Sequence, residues 1–186
     1  MKLDYLHIIP ECYADTNLIQ TLLKIKGVNH QKSCGQVTNE MKKHFQDDFA
    51  VGVIDLDKDQ SKYAEECETI ASSNEFSVCR HPDSNHYLVK IHNILENFII
   101  NCAKETGVDL SELGMPLEKE ALMKRTKKQE AKNDPQLANL FKQLSSSTEM
   151  SLLKEVMDFL CTKKYNVRNE ELVSIFQKHG FMTEEG

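Results

Sequence analysis

Apolar and polar residues follow one another along the first hundred positions in blocks that predict an α/β fold. Short apolar runs, typical of strands covered on both faces, occur at 3–10, 49–54, 76–79 and 86–91. Apolar residues spaced three or four apart predict helices at 14–24, 37–45, 61–70 and 94–104. The polar stretch 27–35 is ambiguous and is compatible with a further short strand. This order predicts a mostly parallel sheet with helices on its faces, a Rossmann-like three-layer arrangement.

After residue 91 the pattern is helical only. Amphipathic spacing predicts helices at about 135–144, 149–162 and 168–178. The chain is therefore predicted to consist of an α/β domain at 1–113 and an all-helical C-terminal extension at 114–186. Each helix of the extension has an apolar face that needs burial, so we expect the extension to pack on the sheet or on a second subunit.

Composition narrows the class of protein and of partner. The formal net charge of −6 disfavours a protein that grips nucleic acid by charge alone. No apolar run reaches the roughly 18 residues that a bilayer requires, so no membrane partner is predicted. The N-terminus does not resemble a secretory signal, and the six cysteines form no closely spaced pairs. We therefore expect reduced cysteines and a cytoplasmic location.

One basic segment stands out against the acidic average. The sequence KRTKKQEAK at 124–132 offers Lys124, Arg125, Lys127 and Lys128 as candidate contacts to phosphates. A solvated helix face interleaved with glutamate is the alternative interpretation. The predicted partners are nucleic acid and either a second copy of the chain or another protein.

Carboxylates follow the two strongest strand predictions. Glu11 ends the first apolar run, and Asp55, Asp57 and Asp59 follow the second at alternate positions. The carboxyl ends of neighbouring parallel strands meet at one edge of a sheet, so we expect Glu11, Asp55 and Asp57 to share a cleft. Carboxylates packed together repel each other, and a hard divalent cation such as Mg²⁺ or Mn²⁺ offsets their charge. Asp59 has an alternative role as the cap of the next helix.

These residues resemble the two motifs of the topoisomerase–primase (TOPRIM) domain family. The first motif, a hydrophobic strand followed by Glu and, four positions later, Asp, is matched by Glu11 and Asp15. The second, a hydrophobic strand followed by Asp-x-Asp and often a third Asp, is matched by Asp55, Asp57 and Asp59. The resemblance covers roughly residues 3–100 and leaves out the helical extension.

The resemblance implies a TOPRIM-like fold and metal-dependent phosphodiester chemistry on nucleic acid. It assigns Glu11 and Asp55 as catalytic residues, with Glu11 acting as acid/base or metal partner. It assigns Asp55 and Asp57 as metal ligands, Asp59 as a third, and Asp15 as a supporting residue. The bound Mg²⁺ or Mn²⁺ would polarise the phosphodiester as a Lewis acid. A chain of 186 residues has no room for the gate domains of a topoisomerase or the zinc domain of a primase. The implied activity is therefore that of a small nuclease, of the kind found among bacterial defence and overcoming-lysogenization-defect (OLD) proteins.

Two alternatives belong to other classes of protein. The position after Glu11 holds Cys12, where the TOPRIM family usually has Gly. This departure favours a non-catalytic regulatory module that binds metal or nucleic acid through a degenerate TOPRIM-like fold. A phosphoacceptor receiver domain with Asp55 as acceptor is the second alternative. Receivers typically have an acidic pair at the end of the first strand, and this chain has one acid there.

Overall fold

A mixed five-stranded sheet with helices on both faces forms the body of the molecule. The computed structural model describes residues 5–56 and 60–182. The five strands are β1 Ile8–Pro10, β2 Ala50–Leu56, β3 Glu68–Ser72, β4 Phe76–Arg80 and β5 His86–His92.

The strand order is β1-β2-β5-β4-β3. The pairings β1–β2 and β2–β5 are parallel, whereas β4 is antiparallel to both β5 and β3. The predicted α/β class is thus confirmed, but only three adjacent strands form a parallel block. The turn between β4 and β5, at 81–85, is tight, so these two strands form a hairpin rather than a crossover.

Eight α-helices are assigned in the described part of the chain. They are α1 Tyr13–Leu23, α2 Cys34–His44, α3 Lys62–Glu65, α4 Leu95–Thr106, α5 Lys119–Thr126, α6 Pro135–Gln143, α7 Thr148–Lys163 and α8 Asn169–Lys178. Short 3₁₀ turns occur at Gln129–Asn133, Leu144–Ser146 and Lys164–Asn166. Gly107 ends α4 in a left-handed conformation, φ 71°, that glycine adopts at low cost.

The predicted helix at 61–70 is wrong over its second half. The structure has the single-turn α3 there and then strand β3, which pairs with β4 along the edge of the sheet. The sequence ETIAS has two β-branched residues, Thr69 and Ile70, and these favour a strand once a partner is available. That partner, β4, lies later in the sequence, and local spacing does not reveal it.

Apolar residues fill both faces of the sheet. On one face α2 and α3 cover Ile9, Ile54 and Leu88. On the other face α1 and α4 cover Ile8 and Val51, and the buried side chains of α6, α7 and α8 belong to the same continuous core. The helical extension therefore packs outside α1 and α4 and completes this face.

Polar contacts fix the extension in place. Asn17 of α1 donates hydrogen bonds from its side chain to the carbonyls of Ala131 and Asp134, at 2.8 and 3.0 Å. Glu149 of α7 accepts hydrogen bonds from Ser73 Oγ at 2.6 Å and from the Asn74 amide at 3.0 Å, in the β3–β4 turn.

No helix within residues 5–56 and 60–182 is long and apolar enough to cross a bilayer.

Candidate functional site

Glu11 and Asp55 meet at the carboxyl end of the parallel block. The β1–β2 ladder ends where the Glu11 amide donates to the Val53 carbonyl at 2.9 Å. The Asp55 amide, further along β2, then donates to Glu11 Oε2 at 3.1 Å. The Glu11 carboxylate is thus held against the backbone of the residue that carries the second carboxylate. Both residues are partly exposed, while the Oδ1 atom of Asp55 is itself buried.

Asp57 and Asp59, the other predicted metal ligands, lie outside the described residues. Within the described ranges no group of three acidic, histidine or cysteine side chains has the geometry of a metal site. The residue types present nevertheless suit a hard cation, because Glu11 and Asp55 are carboxylate residues at the ends of neighbouring strands, with the Glu11 side chain on the Asp55 amide. Mg²⁺ commonly takes one or two carboxylates and keeps several waters, so this pair fits it.

Cys12, which stands where the TOPRIM family usually has glycine, caps helix α1. Its Sγ accepts a hydrogen bond from the Asp15 amide at 3.3 Å, while Asp15 Oδ2 accepts one from the Cys12 amide at 3.1 Å. This reciprocal arrangement is a capping box with a thiol in place of the usual hydroxyl. Burial raises the pKa of the Cys12 thiol well above its usual value, and the Asp15 carboxylate adds to the rise. The thiol is therefore protonated at neutral pH and is no nucleophile.

Asp15 and Glu96 form a buried acidic pair behind the site. Asp15 is fully buried, and Glu96 is 5% exposed. Burial raises the pKa of Asp15 to about 6; the hydrogen bonds to Cys12 oppose this rise and the charge of Glu96 adds to it. Glu96 accepts a hydrogen bond from the Thr126 hydroxyl, so α5 supplies its partner. Glu96 stands in the apolar sequence ILENFI, where its position alone gives no sign of a partner thirty residues later.

The basic segment, residues 124–132, lies beside helix α1. Its 3₁₀ turn at Gln129–Asn133 packs on α1, where Asn17 contacts the Ala131 carbonyl. Arg125, a predicted phosphate contact, binds within the protein. Its guanidinium donates hydrogen bonds to Asp134 Oδ2 and to the Gly114 carbonyl, each at 2.8 Å. The remaining predicted phosphate contacts, Lys124, Lys127 and Lys128, are exposed.

An aromatic pair that the sequence does not reveal lies at the start of α1, where Tyr13 stacks on His30. Residues 29–31 run alongside β1, with the Asn29 and Gln31 amides donating to the carbonyls of Ile8 and Pro10 at 2.9 Å each. This contact places the His30 ring against Tyr13, with centroids 4.3 Å apart. The stretch 27–35 is polar and shows no helical or strand periodicity. The position of His30 beside Tyr13 therefore follows from the hydrogen bonds between residues 29–31 and β1.

The receiver interpretation does not fit the sheet. Receiver domains have a doubly wound sheet of order 2-1-3-4-5, whereas this sheet ends in an antiparallel hairpin and has the order β1-β2-β5-β4-β3. Comparisons of the chain with protein-family models, with curated proteins and with solved structures find no match.

Proposed function

We propose that this protein is a small TOPRIM-like nuclease that uses Mg²⁺ or Mn²⁺ for phosphodiester chemistry on nucleic acid. The observation that supports this proposal most strongly is the hydrogen bond of 3.1 Å between the Asp55 amide and Glu11 Oε2. It holds the Glu11 side chain against the backbone of Asp55 at the carboxyl end of adjacent parallel strands, where ligand sites of α/β sheets form.

In this proposal Glu11 and Asp55 hold the metal, with Asp57 and Asp59 as further ligands. The metal, when bound, supplies Lewis-acid stabilisation of the charge on the phosphodiester. The Asp55 amide orients the Glu11 carboxylate, and this fixed geometry reduces the reorganisation needed when substrate binds. Lys124, Lys127 and Lys128 contribute positive potential from the segment packed on α1, which an acidic protein needs near a polyanion.

One observation favours a second candidate, a non-catalytic module that binds metal or nucleic acid. Where the TOPRIM motif usually has glycine, Cys12 places its Sγ on the Asp15 amide at the start of α1. That amide is one of the donors that a helix N-terminus offers to an anion, and the sulfur occupies it. In such a module the metal site is retained and strand cleavage is absent.

The test measures cleavage and metal binding on the same variants. We expect the wild-type protein to cleave labelled DNA or RNA in millimolar Mg²⁺ or Mn²⁺. Glu11→Gln and Asp55→Asn should each lower the rate by at least about 100-fold, because the metal loses a charged ligand. Asp47→Asn, a change of the same kind at an exposed position, serves as the control.

Melting curves recorded with and without metal separate the two candidates. Metal should raise the melting temperature of the wild-type and Asp47→Asn proteins but not that of Asp55→Asn. A metal-dependent shift without cleavage of any substrate establishes the non-catalytic module. Absence of both the shift and the cleavage in wild type refutes the metal site itself.

A further inference from the structure

A polar cavity of about 460 Å³ opens at the β1 edge of the sheet, between residues 30–32 and helix α2. Its volume lies in the range of sites for small ligands. It adjoins the acidic site, because the Gln31 amide is bonded to the carbonyl of Pro10, the residue before Glu11, at 2.9 Å. Its lining includes the side chains of His30, Lys32, Glu40, Lys43 and His44.

The charge that this cavity presents is positive. Lys32 and Lys43 are exposed, and neither forms an ion pair within residues 5–56 and 60–182. Glu40, the acidic side chain in the lining, has both oxygens engaged. Its Oε1 accepts a hydrogen bond from Asn29 Nδ2 at 2.8 Å, and its Oε2 lies 2.9 Å from His44 Nδ1. Two ammonium groups are therefore available to an anion at the edge of an otherwise acidic protein.

The ring of His30 lies in the same lining and is held in one tautomer. Thr16 Oγ1 donates its only proton to the Cys12 carbonyl at 2.8 Å, so at 3.0 Å from His30 Nδ1 it acts as the acceptor. The proton of the neutral ring is consequently on Nδ1. Nε2 is left as an acceptor that is buried and has no hydrogen-bond partner within the described residues.

The ring is also uncharged at neutral pH. Burial lowers the pKa of His30, and the positive charge of Lys132 lowers it further. Tyr13 stacks on one face of the ring at 25° and 4.3 Å, which fixes its plane. A neutral, fixed aromatic ring beside two cations is the combination with which proteins bind single strands, by stacking on bases and attracting phosphates.

We propose that this cavity binds one nucleotide of a single-stranded nucleic acid, with its base against His30 and its phosphates at Lys32 and Lys43. This inference rests on the proposed function and specifies its substrate class. Bases in an intact duplex are stacked on both faces and are not available to such a ring. The strand would then lead from the cavity across the end of β1 to Glu11 and Asp55.

The test is fluorescence anisotropy with a labelled single-stranded DNA oligonucleotide and its duplex, in EDTA so that no metal contributes. Wild type should bind the single strand at least about tenfold more tightly than the duplex. Lys32→Glu with Lys43→Glu should weaken single-strand binding by about tenfold or more and reduce the slope of log affinity against log salt by about 1.4. His30→Ala should weaken it by roughly tenfold, while melting curves check the fold.

The matched control reverses two exposed lysines elsewhere, Lys104→Glu with Lys142→Glu, and so changes the net charge equally. Equal weakening by the control, equal binding of duplex and single strand, or no binding of the single strand by wild type would each overturn the inference. Cleavage with normal binding by the Lys32→Glu/Lys43→Glu variant would refute the cavity and leave the nuclease proposal standing. Cavity-dependent binding without cleavage would refute the nuclease proposal and leave the cavity.

Discussion

At the scale of single residues, the start of α1 shows a thiol acting as a helix cap. Cys12 stands where the TOPRIM motif usually has glycine, and its sulfur becomes the helix cap. Asp15, which the resemblance assigns as a supporting residue, completes the same capping box. Asp15 thus stabilises helix α1, and its side chain is fully buried. Burial of a carboxylate has a cost that depends on pH.

Replacing Asp15 by Asn should stabilise the protein at high pH. The pKa of Asp15 is raised from 3.8 to about 6 in the folded state, so the folded protein holds this proton more tightly than the unfolded chain. Wild-type stability therefore falls as the pH rises from about 4 to about 6 and stays lower above that. An asparagine keeps an oxygen for the Cys12 amide and has no charge to bury.

We expect Asp15→Asn to raise the free energy of unfolding by about 1–3 kcal/mol at pH 8, with the gain disappearing near pH 4. Urea unfolding in EDTA at a series of pH values measures the difference. The exposed Asp47→Asn should show no such trend. A gain for Asp15→Asn that is the same at pH 4 and pH 8 would exclude the buried charge as its cause.

At the scale of secondary structure, the sequence predicts the elements that are locally periodic. The helices α1, α2, α4, α6, α7 and α8 and the strands β2, β4 and β5 lie within a few residues of their predicted bounds. Strand β3 and the edge contact of residues 29–31 were not predictable in the same way, because their hydrogen-bond partners are distant in sequence. For the candidate site, the apolar runs before Glu11 and Asp55 indicate that these residues end neighbouring strands, and the Asp55 amide does contact Glu11 Oε2; the cleft shared with Asp57 stays a prediction. The Glu96–Thr126 and His30–Tyr13 contacts depend on tertiary packing and leave no local pattern.

The packing of β2 against α2 depends on Gly52. A Cβ at this position would lie 2.7 Å from Leu88 Cδ2, 2.8 Å from Val37 Cγ1 and 3.2 Å from Met41 Sδ, all on fully buried side chains. Gly52→Ala should therefore force α2 outward and lower the free energy of unfolding by about 1–3 kcal/mol. Gly35→Ala within α2 is the matched control, since its nearest neighbour is Ser33 Oγ at 4.0 Å.

Chemical denaturation distinguishes the two alanine variants. Gly35→Ala should be neutral or stabilising by up to about 1 kcal/mol, because alanine favours a helix over glycine. If Gly52→Ala is as stable as wild type, the close approach of α2 to β2 described above is incorrect.

At the scale of the whole molecule, the helical extension and the sheet form one structure around the site. The extension packs outside α1 and α4 and completes the apolar core on that face of the sheet, and its basic segment lies against α1. Residues 29–31 run along the β1 edge of the sheet, and His30 and Lys32 line the cavity there. A chain of net charge −6 thus has exposed lysines on two segments, one that packs on α1 and one at the β1 edge of the sheet. The proposed nuclease needs such lysines, because they attract a polyanion that an acidic protein otherwise repels.

The most direct test of the metal site is the anomalous difference map of a crystal soaked in Mn²⁺. We predict a peak at coordination distance from both the Glu11 and the Asp55 carboxylates, with Asp57 completing the ligand set. The same soak of Asp55→Asn crystals should give a weaker peak or none. A wild-type crystal with no peak at this pair, or with its peak elsewhere, would contradict the account.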